Sequence, residues 1–246
     1  MRPYKALLFD LCDTLMPFRN DRLPLVEIRG RQVRTTSPLL YESFSGFSAI
    51  PYEEFHDHFV ETTEAIWRLR EESEKEISSA TRFERFLEKL GVPRGADWER
   101  LHRRFLETHL GQIALCLDCA PEHRRLLNQL KRRYRLGLVS NFDDTDTVYR
   151  VLAREGVDHL FEAILISSEI GIRKPHADIF LAACEKIGIS PSDALFVGDS
   201  FENDVVGAKQ LGMDAAWINR TGLPPPIARY TPDYSLTELA DLSKII

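Results

Sequence analysis

Residues 5–15 read Lys-Ala-Leu-Leu-Phe-Asp-Leu-Cys-Asp-Thr-Leu. Ala6, Leu7, Leu8 and Phe9 form an unbroken apolar run that ends on an acid, Asp10. A strand with one wet face would alternate apolar and polar residues. A continuous run of this length is what a strand buried on both faces looks like, the situation of a parallel strand with helices packed above and below it. The run is too short, and too soon interrupted by acids, for a signal peptide. It reads as a first β-strand.

The same kind of run recurs in the second half of the chain. Leu136–Val139 ends in Ser140, Ala163–Ile166 stands alone, Ala194–Val197 ends in Gly198-Asp199, and Ala215–Ile218 is the last. Helical faces separate them. Pro121 opens one through Leu126, Leu127 and Leu130; Val148, Val151 and Leu152 form a second that stops at Gly156; Ile179, Phe180 and Ala183 form a third closed by Gly188. Ser190-Pro191 begins the next unit, and Val205, Val206 and Ala208 carry a further helix. Repeated strand–helix units of this size predict an α/β fold with a Rossmann-like, doubly wound parallel sheet.

Between Met16 and Cys116 the pattern is helical. Phe55, Phe59, Ile66 and Leu69 share one face; Phe83, Phe86, Leu87 and Leu90 share another, with Ser79 as N-cap and Gly91 as stop. Trp98, Leu101, Phe105 and Leu106 form a third face, opened by Asp97 and closed before Gly111. Ahead of them Leu25–Thr36, with β-branched residues around Gly30, reads as a short hairpin. The sheet therefore begins before the helical zone and resumes after it. The expected organisation is a core of residues 1–16 and 117–246, with residues 17–116 inserted as a helical cap domain.

Composition bounds the function. A net charge of −6 argues against a general nucleic-acid binder, which would be basic. No apolar run approaches the roughly 20 residues of a membrane span. Cys116 and Cys119 make one CxxC without a second pair, so zinc is not expected, and four cysteines in all suit a reducing cytoplasm.

In a doubly wound sheet, ligands bind at the carboxyl ends of the strands. The residues there are Asp10, Ser140, Lys174 and Asp199. A carboxylate nucleophile, a hydroxyl, a cation and a metal-ligating acid together suit a dianionic phosphoryl group. The charges are neutralised, one oxygen is oriented, and a carboxylate attacks in line.

These residues sit in motifs that resemble a known family. Phe9-Asp10-Leu11-Cys12-Asp13-Thr14-Leu15 resembles the first motif of the haloacid dehalogenase superfamily, FDLDGTL. Val139-Ser140-Asn141 resembles its second motif, Lys174-Pro175 its third, and Gly198 through Asp204 its fourth. All four occur in order, and the first gap is long enough for an inserted cap. The resemblance implies that Asp10 is the nucleophile and a Mg²⁺ ligand, with Asp199 the second carboxylate ligand and the backbone carbonyl of Cys12 the third. Asp204 and Asn203 would support the metal side. Thr14, Ser140, Asn141 and Lys174 would bind phosphate, Lys174 also holding the nucleophile and Thr14 bracing the loop. The implied partner is a small phosphorylated metabolite, with the chain acting as a monomer or homodimer.

Position 12 departs from the family. Phosphatases of the family carry there an aspartate that protonates the leaving oxygen and then activates water. A thiol does this poorly, and losing such help typically costs about 10² to 10⁴ in rate. Asp13 stands where the family has glycine and could stand in, although a neighbouring position points its side chain elsewhere. Three readings stay open: a phosphatase selective for good leaving groups such as acyl phosphates, a metal-independent 2-haloacid dehalogenase, and a catalytically weak protein that binds Mg²⁺ and phosphate. The dehalogenases of the family lose the acidic fourth motif, which Asp199 and Asp204 keep here.

Other features have plainer accounts. His56 and His58, two apart, fall on different helix faces and read as surface. His176 reads as a first-turn surface residue, Phe55, Phe59, Trp67 and Trp98 as cap packing, and Pro224-Pro225-Pro226 as a rigid surface connection. Arg19, Arg22, Arg29, Arg31 and Arg34 read as a solvated charged face, with an anionic substrate tail as the alternative.

Overall fold

The computed structural model describes residues 4–222, 224–226 and 229–246. They fall into two compact units, Met1–Phe18 with Asp118–Ile246, and Arg19–Leu117. The chain starts in the first with strand β1, Ala6–Phe9, whose four side chains are all fully buried.

The second unit opens with the expected hairpin, β2 (Leu25–Ile28) and β3 (Arg31–Arg34), with Val26 opposite Val33. Its turn places Arg29 and Gly30 at φ 48° and 76°, the pair of left-handed residues that matches the natural twist of a two-residue hairpin. Three of the arginines in and before the hairpin are tied down locally. Arg29 pairs with Asp57, Arg19 with Asp21, and Arg34 donates to the carbonyls of Asp21 and Leu23.

Four helices follow: α1 (Ser37–Phe44), α2 (Tyr52–Ser73), α3 (Ser79–Lys89) and α4 (Ala96–Leu115). Phe55, Phe83, Phe86 and Phe105 meet at their centre, Phe55 edge-on to Phe86 with ring centroids 5.1 Å apart. Three details differ from the sequence reading. Ser78, not Ser79, caps α3, its hydroxyl accepting from Thr81 N at 3.2 Å. Helix α4 runs through Gly111 to Leu115, because a glycine penalty of about 1 kcal/mol is outweighed by anchoring residues on both sides, Leu110 and Cys116, both buried. The buried stripe of α2 is Phe55, Phe59, Thr62, Ile66 and Arg70; Trp67 and Leu69 lie off it and are 48% and 37% exposed.

His56 also corrects the sequence reading: it is buried, with Nδ1 2.8 Å from the Ser37 hydroxyl. A second buried polar link joins three elements. Arg82 can only donate, so its N–H to His109 Nε2 (2.8 Å) leaves the ring proton on Nδ1, which faces Thr36 Oγ1 at 2.7 Å.

The first unit resumes with α5 (Pro121–Leu130), β4 (Arg135–Ser140), α6 (Thr145–Glu155), β5 (Ala163–Ile166), the short α7 (Ser167–Ile170) and α8 (Ala177–Ile187). Strands β6 (Ala194–Gly198), β7 (Asp214–Ile218) and β8 (Tyr234–Leu236) complete it. Among the described residues the sheet has six strands in the order β5-β4-β1-β6-β7-β8, every neighbouring pair parallel. Strand β8 escaped the sequence reading because it is three residues long and buries only Leu236. After β6 the expected helix begins as a wide π turn over Phe201–Val206 before tightening at Gly207–Lys209.

From β1 the chain builds outward through β4 and β5, then crosses back to build the other side from β6. The direction reverses between β1 and β6, and that switch point is where such sheets bind ligands.

Candidate active site

The sheet order brings the ends of β4, β1 and β6 side by side. Asp10 follows β1 directly, and its N–H donates to Val197 O at 2.9 Å, so the carboxylate leaves the sheet at a fixed point. The loop after it is tight: Met16 N donates to Leu11 O and Asp13 N to Met16 O, each at 2.9 Å. Asp13 turns that corner at φ 54°, a region that aspartate enters more readily than most residues. Its carboxylate accepts from Phe18 N at 2.9 Å, so it closes the loop. His123, on α5, meets the carbonyl of Leu15 at 2.8 Å.

Lys174 is the centre of the site. Its side chain is 2% exposed, and Nζ donates to Asp10 Oδ1 and to Asp204 Oδ1, both at 2.7 Å. Its ammonium lies 5.1 Å from the centre of the Phe196 ring. Burial works against the charged lysine, but the two carboxylates outweigh it and hold the group above its ordinary range. Asp204 is equally buried, and its other oxygen accepts from Ser200 N at 2.9 Å. Gly198 makes this possible, since a methyl group there would run into the Asp204 carboxyl. Asn203 secures Ser200, Nδ2 donating to its hydroxyl at 2.9 Å.

Asp199 stands at the rim. Thr14 Oγ1 donates to its Oδ1 at 3.3 Å, and Trp217 Nε1 donates to its backbone carbonyl at 2.8 Å. One carboxylate oxygen each from Asp10, Asp199 and Asp204 lie within 4.8 Å of one another. Burial, and then the charges of Asp204 and Asp13, push Asp199 up to about 6. Burial also raises Asp10, with Lys174 pulling the other way and Asp204 and Asp199 adding to the rise. Crowded acids of this kind are relieved by a cation.

Ser140 closes β4. Its hydroxyl is buried and has no hydrogen-bond partner among the described residues. Asn141, next to it, donates from Nδ2 to Lys174 O at 2.9 Å and accepts from Lys174 N at 2.8 Å. Burial, then the carboxylates of Asp10, Asp13 and Asp199, raise the Cys12 thiol well above its ordinary range, so it stays a neutral thiol. His176 caps the first turn of α8 and is surface.

The structure thus brings Asp10, Thr14, Lys174, Asp199 and Asp204 together at the strand ends, with Ser140 at the end of the neighbouring strand β4. Trp217 and His123 were not foreseen. Trp217 is placed by strand register, opposite Gly198, which no local pattern encodes. His123 reaches the nucleophile loop from a helix that follows it only after the whole second unit.

The fold agrees with comparisons across known proteins. HAD-hydrolase YfnB of Bacillus subtilis is 28% identical over 250 residues, covering 100% of this chain and 97% of that one. Its magnesium-bound crystal structure matches with a TM-score of 0.65 at 23% identity, over 99% of each chain. Phosphoserine phosphatase of Thermus thermophilus is 35% identical over 123 residues, about half of each chain. A 2-haloacid dehalogenase structure from Pseudomonas syringae shares the fold, with a TM-score of 0.74 at 23% identity over 98% of this chain and 97% of that one. Residues 4–212 match the haloacid dehalogenase-like hydrolase family, and the chain belongs to it.

Proposed function

We propose that the chain hydrolyses a small phosphorylated metabolite, with Mg²⁺, through a covalent intermediate on Asp10. The observation that carries this reading is the ion-paired row Asp10–Lys174–Asp204 with Asp199 inside coordination reach. In it one carboxylate is oriented by a buried ammonium beside a second acid left to hold a cation.

The residues fit the metal. Asp10 and Asp199, with the backbone carbonyl of Cys12, would hold Mg²⁺, and Asp204 would support them through Lys174. When bound, the ion supplies positive charge for the phosphoryl oxygens. The unpartnered Ser140 hydroxyl fits the phosphate in the same way, since a buried hydroxyl without a partner is costly unless a ligand supplies one. YfnB, similar over its whole length, has been crystallised with magnesium.

Asp10 attacks phosphorus, a new P–O bond forms, and the bond to the leaving oxygen breaks. Water then attacks the phosphorus of the aspartyl-phosphate, releasing inorganic phosphate and the Asp10 carboxylate. Lys174 favours the ionised form of the nucleophile and aims it, and Ser140 orients a phosphoryl oxygen. The neutral Cys12 thiol gives the leaving oxygen no carboxylic acid to draw on, so substrates that leave as stable anions are favoured.

The test is turnover of an activated aryl phosphate against an alkyl phosphate, with and without Mg²⁺. A strong, Mg²⁺-dependent preference for the aryl ester is expected. Equal rates would defeat the role given to Cys12. No turnover of either would leave Mg²⁺ and phosphate binding as the function, and metal-free halide release from a 2-haloacid would point to dehalogenation.

A further inference from the structure

We propose that Asn141 is a positioning residue, whose side chain fixes Lys174 and through it the Asp10 carboxylate. The inference rests on reading Lys174 as part of the phosphoryl-transfer site. Both polar atoms of the Asn141 side chain go to the backbone of one residue 33 positions away: Nδ2 donates to Lys174 O at 2.9 Å, and Lys174 N donates to Oδ1 at 2.8 Å. A carboxamide carries a donor and an acceptor side by side, so it can do at a loop what a neighbouring strand does in a sheet. Strand β4 has ended one residue earlier, at Ser140.

The consequence falls on the ammonium. A lysine has a flexible four-carbon stem with about 2 kcal/mol of rotamer entropy. Reaching Asp10 and Asp204 at once from a loop requires that its backbone be held. The residue after Asn141 is itself held from behind. Phe142 N donates to Ser167 Oγ at 2.9 Å, and Ser168 N donates to Phe142 O at 3.2 Å. Ser167 is fully buried at the start of α7. Hydrogen bonds from α7 therefore hold Phe142, the chain carries that hold to its neighbour Asn141, and hydrogen bonds run on from Asn141 to Lys174 and from there to the nucleophile.

The experiment is Asn141→Ala, checked for folding by circular dichroism and read three ways. The first is kcat and KM on an aryl phosphate. The second is Mg²⁺ affinity by calorimetry with the metal alone. The third is the ¹⁵N NMR signal of the Lys174 ammonium, which is slow to exchange when buried in two ion pairs. Expected are a fall in kcat of about 10- to 100-fold, KM and Mg²⁺ affinity little changed, and loss of the ammonium signal. Asn141→Asp keeps the shape and the acceptor but loses the donor. It carries the same expectation in weaker form should the alanine variant fail to fold. Wild-type turnover with unchanged kcat in the variants overturns the inference and leaves the functional reading standing. If the wild type turns over no phosphate ester, the functional reading fails and the NMR signal decides: lost in the variants, the positioning stands; retained, it falls.

Discussion

Lys174 and Asp10 meet at 2.7 Å across 164 residues of chain, in a pocket that leaves 2% of the lysine side chain and 12% of the aspartate side chain exposed. The same nitrogen holds Asp204. Lys174→Met would leave two buried carboxylates without their cation. Breaking a buried pair from one side costs about 3–5 kcal/mol. Urea unfolding should show a loss of that order, and turnover should disappear with it. A loss within experimental error would mean that the acids are solvated in solution.

Cys12→Asp restores a carboxylic acid two residues after the nucleophile. The expected gain on an alkyl phosphate is about 10²-fold or more in kcat/KM, within the usual range for general acid–base help. The aryl ester, which leaves without a proton, should gain far less. A gain equal on both substrates would show that the substitution acts on binding and not on proton transfer.

Without a cation, Asp10 and Asp199 are both held above the ordinary carboxylate range. Mg²⁺ should therefore stabilise the fold. At 100 times the dissociation constant the gain is about 2.7 kcal/mol, read as a rise in Tm that EDTA reverses. Asp199→Asn should abolish the rise. Persistence of the shift in that variant would place the ion elsewhere.

His56 gives a pH dependence in the second unit. Burial holds its imidazole below the ordinary value of 6.5. Between that value and the lower folded one, the unfolded chain binds more protons than the folded chain, so stability rises with pH. The contribution is fully present above about 6.5 and is lost as pH falls from there toward the folded value. Chemical unfolding of wild type and His56→Gln, followed from pH 7.5 down to 5, should show a steeper loss in the wild type. Parallel curves would mean that the buried ring titrates as it does in solution.

The parts of the molecule legible in the chain were those with a local cause. Four apolar residues in a row ending in Asp10 announced a buried strand, and Ala6–Phe9 is one. Val139-Ser140 and Val197-Gly198-Asp199 did the same for β4 and β6, and glycines at 156 and 188 closed α6 and α8 in left-handed turns. Errors came where local pattern and packing part company. His56 reads as surface because its spacing of two from His58 sets the two rings on different helix faces, yet Ser37 on another helix gives it a buried partner. Trp67 reads as cap packing beside Phe55 and Phe59, yet it stands one step round α2 from Ile66, and a step of one residue on a helix is enough to reach solvent.

By itself, the sequence determined which residue types would stand at the strand ends, because strand period, turn residues and helix stops are properties of a few consecutive side chains. Tertiary structure alone decided which of those ends are neighbours, and what each carboxylate touches. The order β4-β1-β6 sets Asp10 between Ser140 and Asp199. It also lets Asn141, expected at the site as a phosphate ligand, hold the backbone of Lys174, and Trp217, whose own surroundings in the chain say nothing of a site, hold that of Asp199. Hydrogen bonds between residues tens of positions apart depend on how strands are ordered and registered across a sheet, and no window of adjacent residues carries that information.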